Sequence, residues 1–401
     1  MLFLLNKTSR ILCNWYSNAE TLTPLPRKSK FKASLPEESG CDIKTLFEEI
    51  NSLIYSSFNP SSPGSLAHLD PPPLSISIVG DLIAGALNNN LLAEELSPSI
   101  SLLEDQICKW FSKKLGFSEN SGGIAASGGT LNNLNALVTA RFISGLSSDP
   151  DAAFIVSEDA HVSFNKCGRI LGLNESNILS VETDNEGRMI VSKLENEIDK
   201  LINSGKKIFA VIATLGTTIR GSIDPLNKIS HLCRDKNIWL HVDGSIGGIY
   251  AIGKYKISDM RYINQANSIT INPQKILGVT KTSSLLLVNN IESLKRTFQT
   301  GLPYVDSSLE VLNRGELGVQ GSRPAEIIKL WLGLKFLGKE GIDSILSSSI
   351  RRKFLFENIL DKNKFYVYSG SLHIISFEPK NMNINQINMW SLKLKKLLLE
   401  N

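Results

Sequence analysis

Short runs of apolar residues alternate with helical patterns along the central part of the chain, from about residue 121 onward. Each run is apolar at consecutive positions, so both of its faces suit burial. The runs cover residues 153–156, 208–212, 238–242, 268–271 and 284–288. Buried runs separated by helices are typical of a mainly parallel sheet. The sequence therefore predicts an α/β fold that binds ligands at the carboxyl ends of its strands.

Helical spacing of apolar residues flanks this region on both sides. Helices are predicted over residues 78–87 and 102–115, a further helix begins near Ile327, a strand covers residues 373–377, and an amphipathic helix covers about 390–399. Residues before about 60 mix short helical patterns with polar breaks. We therefore expect an N-terminal helical arm (1–72), a large domain (73–328) and a small C-terminal domain (329–401) that is shortened.

Composition narrows the class of protein. The chain has 401 residues, 42% of them hydrophobic, and a formal net charge of +4. Its basic residues are scattered, which disfavours a nucleic-acid partner. The five cysteines lack CxxC spacing, which disfavours both a disulfide framework and a zinc site. The five histidines lack HxxH spacing, which disfavours a metal site. Because we find no export signal and no apolar run of about 18 residues, we expect a cytoplasmic protein without a membrane partner.

A glycine-containing loop follows the start of the sheet region. Ser127, Gly128, Gly129 and Thr130 open a predicted helix over residues 131–141. Small residues at a helix start let backbone N–H groups and the positive helix end approach a phosphate. Such helix starts are common, so this loop alone is weak support for an anion site.

A carboxylate follows the predicted strand at 238–242. Asp243 lies beyond the buried strand, followed by Gly244 and Ser245. A buried carboxylate is costly without a cationic partner. A structural cap is one interpretation, and a protonated pyridine nitrogen is another, because an opposite charge favours ring protonation by roughly 1–3 pKa units.

A lysine follows the next predicted strand. Lys275 ends the sequence Asn272-Pro273-Gln274-Lys275, 32 residues after Asp243 (275 − 243 = 32). Most lysines are solvated surface charges. At the carboxyl edge of a sheet, close to a phosphate loop and a buried acid, a lysine is instead suited to act as a Schiff-base nucleophile.

His161 follows the predicted strand at 153–156. A lone histidine is commonly structural. In this position, however, its imidazole could lie flat on an aromatic ring.

Taken in order, these segments resemble the group II pyridoxal-phosphate (PLP) dependent amino-acid decarboxylases, a family that includes glutamate, aromatic amino-acid and histidine decarboxylases. The similarity covers roughly residues 60–380. It is carried by the SGGT loop, AHVSFNKCGRILG from 160, ATLGTTIRGSIDPL from 213, HVDGSIGG from 241, NPQKILGV from 272 and GSRPAEIIKLWLGLKFLG from 321.

The resemblance implies a fold-type-I (PLP-dependent transferase-like) α/β protein with a mainly parallel seven-stranded sheet, acting as a homodimer. It implies that Lys275 carries PLP, that Asp243 contacts the pyridine nitrogen, and that His161 stacks on the ring. Tyr304, on a loop that we expect to be mobile, corresponds to a catalytic tyrosine of the family. The cofactor-binding set implied by position is Ser127, Gly128, Gly129, Thr130, His161, Thr214, Thr217, Asp243, Ser245, Asn272, Gln274, Lys275 and Arg323.

This chain departs from the family pattern at several points. Gln274 stands where a histidine usually precedes the lysine, Gly244-Ser245 replaces Ala-Ala, and family members generally continue beyond the position of Asn401. The implied reaction is decarboxylation of an L-amino acid to its amine and carbon dioxide. Another PLP-dependent lyase or sulfur-transfer reaction, or a non-catalytic homologue, would retain the same Lys275 and Asp243. Glutamate, aromatic and diamino acids all remain possible substrates.

Overall fold

A computed structural model describes residues 1–26, 34–35, 38–66, 69–255, 257–301 and 313–400. The chain divides into two compact units. Residues 73–377 form the larger unit, and residues 1–72 together with 378–401 form the smaller one. The division into three parts at residues 72 and 328 stays a prediction.

The larger unit contains a seven-stranded sheet with the order β1-β7-β6-β5-β4-β2-β3. Only β7 runs antiparallel to its neighbours, while the pairs joining β6, β5, β4, β2 and β3 are parallel. The predicted mainly parallel α/β sheet is therefore confirmed. The strands are β1 (Gly122–Ala126), β2 (Ala152–Ser157), β3 (Ile178–Val181), β4 (Lys207–Thr214), β5 (Trp239–Gly244), β6 (Ser268–Ile271) and β7 (Ser284–Val288).

Helices connect and cover these strands in the larger unit. They are α3 (Ser75–Leu87), α4 (Pro98–Leu115), α5 (Gly129–Ile143), α6 (Ser163–Ile170), α7 (Val191–Asn203), α8 (Leu226–Asp235), α9 (Gly248–Ile252), α10 (Glu292–Phe298) and α11 (Ile327–Ile359). Short 3₁₀ segments are Glu94–Leu96, Glu175–Asn177, Ser258–Gln265, Pro273–Lys275 and Arg314–Glu316. The backbone of α11 breaks at Gly338, whose φ of 56° is left-handed.

The sheet is buried because its central strands are apolar on both faces. All residues of β1, β2, β5, β6 and β7 are buried, as expected for strands covered by helices on each side. Helix α5 packs into this core through Leu137, which contributes to a cluster with Phe154 and Phe209. The same helix also buries three asparagines, Asn132, Asn133 and Asn135, which need polar partners inside the protein.

Two buried arginines attach the segment after residue 312 to α4. Arg323 forms a two-point ion pair with Glu104, with nitrogen–oxygen distances of 2.7 and 2.6 Å. Arg314 is fully buried and lies 2.7 Å from Asp105. A bidentate arginine–carboxylate pair fixes orientation as well as distance. These pairs therefore hold the backbone of the segment against the sheet-covering helix.

The predicted strand at 373–377 begins later than expected. Strand β9 covers Ile375–Pro379 and pairs with β8 (Phe365–Ser369), a strand that the apolar pattern did not predict. His373 lies outside the strand because its Nδ1 is 2.9 Å from the hydroxyl of Tyr250 and the two rings are stacked. Tertiary contact thus displaces the start of the strand.

The smaller unit is helical. It contains α1 (Leu2–Ser17), α2 (Ile43–Tyr55) and α12 (Ile384–Glu400). The ring of Phe3 contacts that of Phe47 edge-on, and the backbone N–H of Leu25 donates to the carbonyl of Leu399 at 3.0 Å. The predicted helices at both ends of the chain are therefore present. Among the described residues, no helix is both long enough and apolar enough to cross a membrane.

Candidate active site

Polar residues meet where three parallel strands end. Thr214 at the end of β4 lies opposite Asp243 of β5, which in turn lies opposite Thr270 of β6. In a sheet of this kind the carboxyl ends of the strands form the ligand-binding edge. Ser284 reaches the same edge because the antiparallel β7 begins there, opposite Ala126.

Asp243 is a buried carboxylate with a defined set of donors. Its side chain accepts hydrogen bonds from Nδ2 of Asn133 and from the backbone N–H of Ser245, both at 3.1 Å. Burial raises the pKa of Asp243, but hydrogen bonding from Ser245 and the charge of Lys275 outweigh burial and leave that pKa below its usual value. The carboxyl group is therefore ionised at neutral pH.

The glycine loop lies directly against the polar residues of the strand ends. Gly128 has a φ of 97°, and no side chain in the described part of the chain caps the start of α5. A Cβ at Gly129 would lie 2.6 Å from Nδ2 of Asn272 and 2.9 Å from Oγ of Ser245. Gly129, Ser245 and Asn272 thus form a close cradle at the positive end of a helix, where an anion is stabilised.

The remaining two residues of the loop face outward. Ser127 and Thr130 are exposed, and the backbone N–H of Ser127 donates to the side chain of Gln320 at 3.3 Å. Gln320 in turn donates to the hydroxyl of Ser127 at 3.1 Å. These reciprocal bonds fix the loop at its entry into α5.

Lys275 ends the 3₁₀ segment after β6 and is partly buried. Its neighbours are held by side-chain hydrogen bonds. Oδ1 of Asn272 accepts from the hydroxyl of Ser284 at 2.5 Å, and Oε1 of Gln274 accepts from the backbone N–H of Ser283 at 2.6 Å. The turn that carries the lysine is therefore attached on both sides of Pro273, to the first residue of β7 and to the residue before it.

His161 lies within electrostatic range of both Asp243 and Lys275. Burial lowers the pKa of His161, Lys275 acts in the same direction, and Asp243 opposes them. Its Nδ1 accepts a hydrogen bond from the backbone N–H of Ser163 at 3.2 Å. The imidazole is therefore neutral at neutral pH and carries its proton on Nε2.

Three further residues of the predicted cofactor site are Thr214, Thr217 and Arg323. Oγ1 of Thr214 is buried and has no hydrogen-bond partner within the described residues, whereas Oγ1 of Thr217 accepts from the backbone N–H of Ser222 at 3.1 Å. Arg323 is paired with Glu104, and only its Nε is buried without a partner in the described part of the chain. A role for Arg323 near the phosphate stays a prediction.

Tyr304 lies outside the described residues. In contrast, sequence reasoning gave no role to three buried polar residues, Asn133, His241 and Ser268. Asn133 donates to Asp243, and His241 lies within hydrogen-bond distance of both Asn133 and Ser268. Asparagines are poor helix formers, so their repetition in the apolar helix α5 is a signal that could have indicated internal polar partners. No cluster of His, Cys, Asp or Glu suited to a metal occurs among the residues that the structure describes.

The residues present fit PLP. The cradle of Gly129 can receive a phosphate, and Asp243 is an ionised carboxylate at the centre of the strand edge. Beside it, Thr214 presents a hydroxyl that has no partner among the described residues. Lys275 supplies an amine within the electrostatic range of that carboxylate. A phosphate site, a carboxylate and a lysine on a parallel α/β sheet define the class of fold-type-I PLP-dependent enzymes.

Comparisons with known proteins agree with this class. Residues 24–378 match the family described as the pyridoxal-dependent decarboxylase conserved domain, and the chain belongs to that family. It is therefore a PLP-dependent carboxy-lyase that acts on an amino acid.

Two curated relatives illustrate the range of the family. The chain is 30% identical over 383 residues to an aromatic-L-amino-acid decarboxylase of Bacillus atrophaeus, covering 92% of this chain and 80% of the relative. It is 31% identical over 343 residues to the acidic amino acid decarboxylase GADL1 of Xenopus tropicalis, covering 82% and 67% respectively.

Solved structures share the fold. Mouse CSAD is similar with a TM-score of 0.85 and 25% identity, over 94% of this chain and 82% of that protein. Oryza sativa TDC, solved with PLP and tryptamine, has a TM-score of 0.89 at 20% identity, over 98% and 88%. The expected fold type is therefore confirmed.

The close contacts of Gly129 leave no space for a side chain at this position. We expect Gly129→Ala to weaken PLP binding by about tenfold or more, because the new Cβ would force Asn272 away from Ser284. Titration of the cofactor-free protein with PLP, followed by absorbance, measures this affinity. Gly40→Ala is the control, since a Cβ there meets no atom of the described residues within 4 Å. An unchanged affinity in Gly129→Ala would exclude Gly129 from the cradle.

Proposed function

We propose that Lys275 binds PLP covalently and that Asp243 contacts its pyridine nitrogen during decarboxylation of an L-amino acid to an amine. The observation that carries this proposal is the mutual electrostatic influence of Asp243 and Lys275 at one strand edge. An ionised carboxylate next to the ring nitrogen favours the protonated ring. When bound, PLP takes up the electron pair left on Cα as carbon dioxide departs.

The other residues of the site bind and orient. The loop of residues 127–130, through the backbone N–H groups of Gly129 and Thr130, would hold the phosphate at the start of α5 together with Ser245, Asn272 and Gln274. His161, neutral and fixed by Ser163, would cover one face of the ring. Thr214 and Thr217 would lie near the ring or the substrate carboxylate. Fixed orientation of the bond that breaks is the main contribution of such residues.

A homodimer is part of the proposal. Helix α3 leaves Val79, Leu82, Ile83 and Leu87 exposed at 44%, 49%, 38% and 52%. A contiguous apolar helix face of this kind is typical of a surface that a partner covers. We also propose a cytoplasmic location, which is supported by the state of Cys13, Cys41, Cys108, Cys167 and Cys233, since all are unpaired thiols.

The proposed substrate is an L-amino acid. The two relatives described above are named as decarboxylases of aromatic and of acidic amino acids. An amine-product screen of the purified, PLP-loaded protein against a panel of L-amino acids tests the function directly. Release of carbon dioxide together with the matching amine supports it, and absence of both with every amino acid would reject it.

We expect borohydride reduction of the PLP-loaded protein to leave the cofactor on Lys275, because this lysine alone is proposed to form a Schiff base. Peptide mass mapping locates the label. Lys166, whose charge also reaches His161, serves as the internal control and should stay unlabelled. A label at any other lysine would overturn the assignment.

We expect Asp243→Asn to retain PLP on Lys275 and to lose turnover by about 100-fold, since a fall of about two pKa units leaves about one-hundredth of the ring protonated. The neutral amide fits the same space but carries no charge. Steady-state kinetics with the substrate from the amine screen provides the measurement. Near-normal turnover would mean that Asp243 is only a structural cap.

Tyr304 is proposed to deliver a proton to Cα after carbon dioxide has left. We expect Tyr304→Phe to release carbon dioxide but to form at least about tenfold less amine, because the proton donor is missing. Carbon dioxide, amine and aldehyde are measured together in one reaction. Equal yields of amine from this variant and the natural enzyme would assign the proton to another group.

A further inference from the structure

A line of buried polar side chains runs behind Asp243, away from the strand edge. Trp239, His241 and Asp243 lie on β5, Ser268 begins β6 and Asn133 lies on α5. Their exposures are 9% or less. Each polar atom in such surroundings needs a partner of the correct hydrogen-bonding type, so the donors and acceptors along the line can be assigned from its two ends.

The first end is Trp239. Its Nε1 is 2.9 Å from Oγ of Ser268, and an indole nitrogen can only donate. Ser268 therefore accepts from Trp239 and has its own hydroxyl proton available. Nδ1 of His241 lies 2.8 Å from the same oxygen, so it is the acceptor within reach of that proton.

The second end is Asp243, which is ionised and can only accept. Its Oδ2 faces Nδ2 of Asn133 at 3.1 Å, which fixes the orientation of the amide. Oδ1 of Asn133 then faces Nε2 of His241 at 3.2 Å. Because an amide oxygen only accepts, Nε2 of His241 must carry a proton.

The hydrogen bonds that start from Trp239 and those that end at Asp243 require the same protonation state of His241. Trp239 and Ser268 leave Nδ1 as an acceptor, while Asp243 and Asn133 require Nε2 to be a donor. This is the neutral tautomer with its proton on Nε2. Burial lowers the pKa of His241 to about 4, so protonation does not disturb the arrangement at neutral pH.

Asn133 connects this line with His161. Its Nδ2 also lies 3.4 Å from Oγ of Ser163, whose backbone N–H donates to Nδ1 of His161. The two hydrogens of one amide group are thus directed toward Asp243 and toward the residue that orients His161. A rotation of Asn133 would disturb both.

We propose that His241 is a positioning residue: held in its Nε2–H form by Ser268, it fixes the amide of Asn133 and thereby the carboxylate of Asp243. The four hydrogen bonds run in one direction, from Trp239 through Ser268, His241 and Asn133 to Asp243. Hydrogen bonds in a chain polarise one another, and a donor at Oδ2 favours the ionised carboxyl. The importance of this line for the cofactor rests on the proposed contact of Asp243 with PLP.

The tautomer is tested first in the cofactor-free protein. Nitrogen-15 labelling of histidine and two-dimensional NMR distinguish the Nε2–H form, the Nδ1–H form and the imidazolium. The signal that disappears in His241→Gln belongs to His241. We expect the Nε2–H pattern, and either of the other patterns in the natural sequence would overturn the proposal.

The coupling is tested by a change remote from the cofactor. In Ser268→Ala, Nδ1 of His241 loses its donor, so we expect a mixture of tautomers and PLP binding about tenfold weaker. Ser230→Ala is the matched control: this buried serine bonds to the carbonyl of Asn227 at 2.9 Å and to the side chain of Gln265 at 3.0 Å, outside the line. The control should change neither quantity.

The outcomes separate the two proposals. If the natural sequence fails to bind PLP through Lys275, the proposed function fails, whatever the tautomer of His241 is. If PLP is bound through Lys275 but Ser268→Ala matches the control in both tautomer and affinity, the positioning role of His241 fails. Should Ser268→Ala not fold, the tautomer of the natural sequence still decides whether the assigned direction of the line is correct.

Discussion

The active site depends on keeping one buried carboxylate ionised. Burial alone would favour protonated Asp243, and a protonated acid cannot favour a cationic ring nitrogen. The structure opposes burial with hydrogen bonds from Asn133 and Ser245 and with the charge of Lys275. Each of these partners comes from a different connection of the sheet, so the ionised state depends on the whole arrangement of strands and not on local sequence.

Helix α5 serves this arrangement at two places. Its first residue, Gly129, forms the anion cradle with Ser245 and Asn272, and Asn133 one turn later contacts Asp243. Helix α5 would thus position both the phosphate end and the nitrogen end of a bound PLP. This explains why α5 contains buried asparagines despite their poor helix propensity. Their amides form hydrogen bonds with polar neighbours, which an apolar side chain could not do.

Much of the sheet could be predicted because most of its strands are marked by a short apolar run in the sequence. The apolar runs predict β2, β4, β5, β6 and β7, and the positions of Asp243 and Lys275 after two of them predict a shared edge. Strand β1 was missed because Gly-Gly-Ile-Ala-Ala has little β propensity. The line through Ser268 and His241 could not be predicted, since its partners meet only through the register of β5 and β6. The pairing of Arg323 with Glu104 likewise joins distant segments.

Both histidines of the site are neutral. His161 and His241 both have a lowered pKa because they are buried, so each contributes a directed N–H group and no charge. In the protein without cofactor, Asp243 and Lys275 are left as opposite charges that act on one another across the strand edge. A neutral histidine at each position can orient without competing with Lys275 for the carboxylate. If either ring were cationic, it would supply Asp243 with a second counterion and weaken the dependence of that carboxylate on the ring nitrogen that it is proposed to hold.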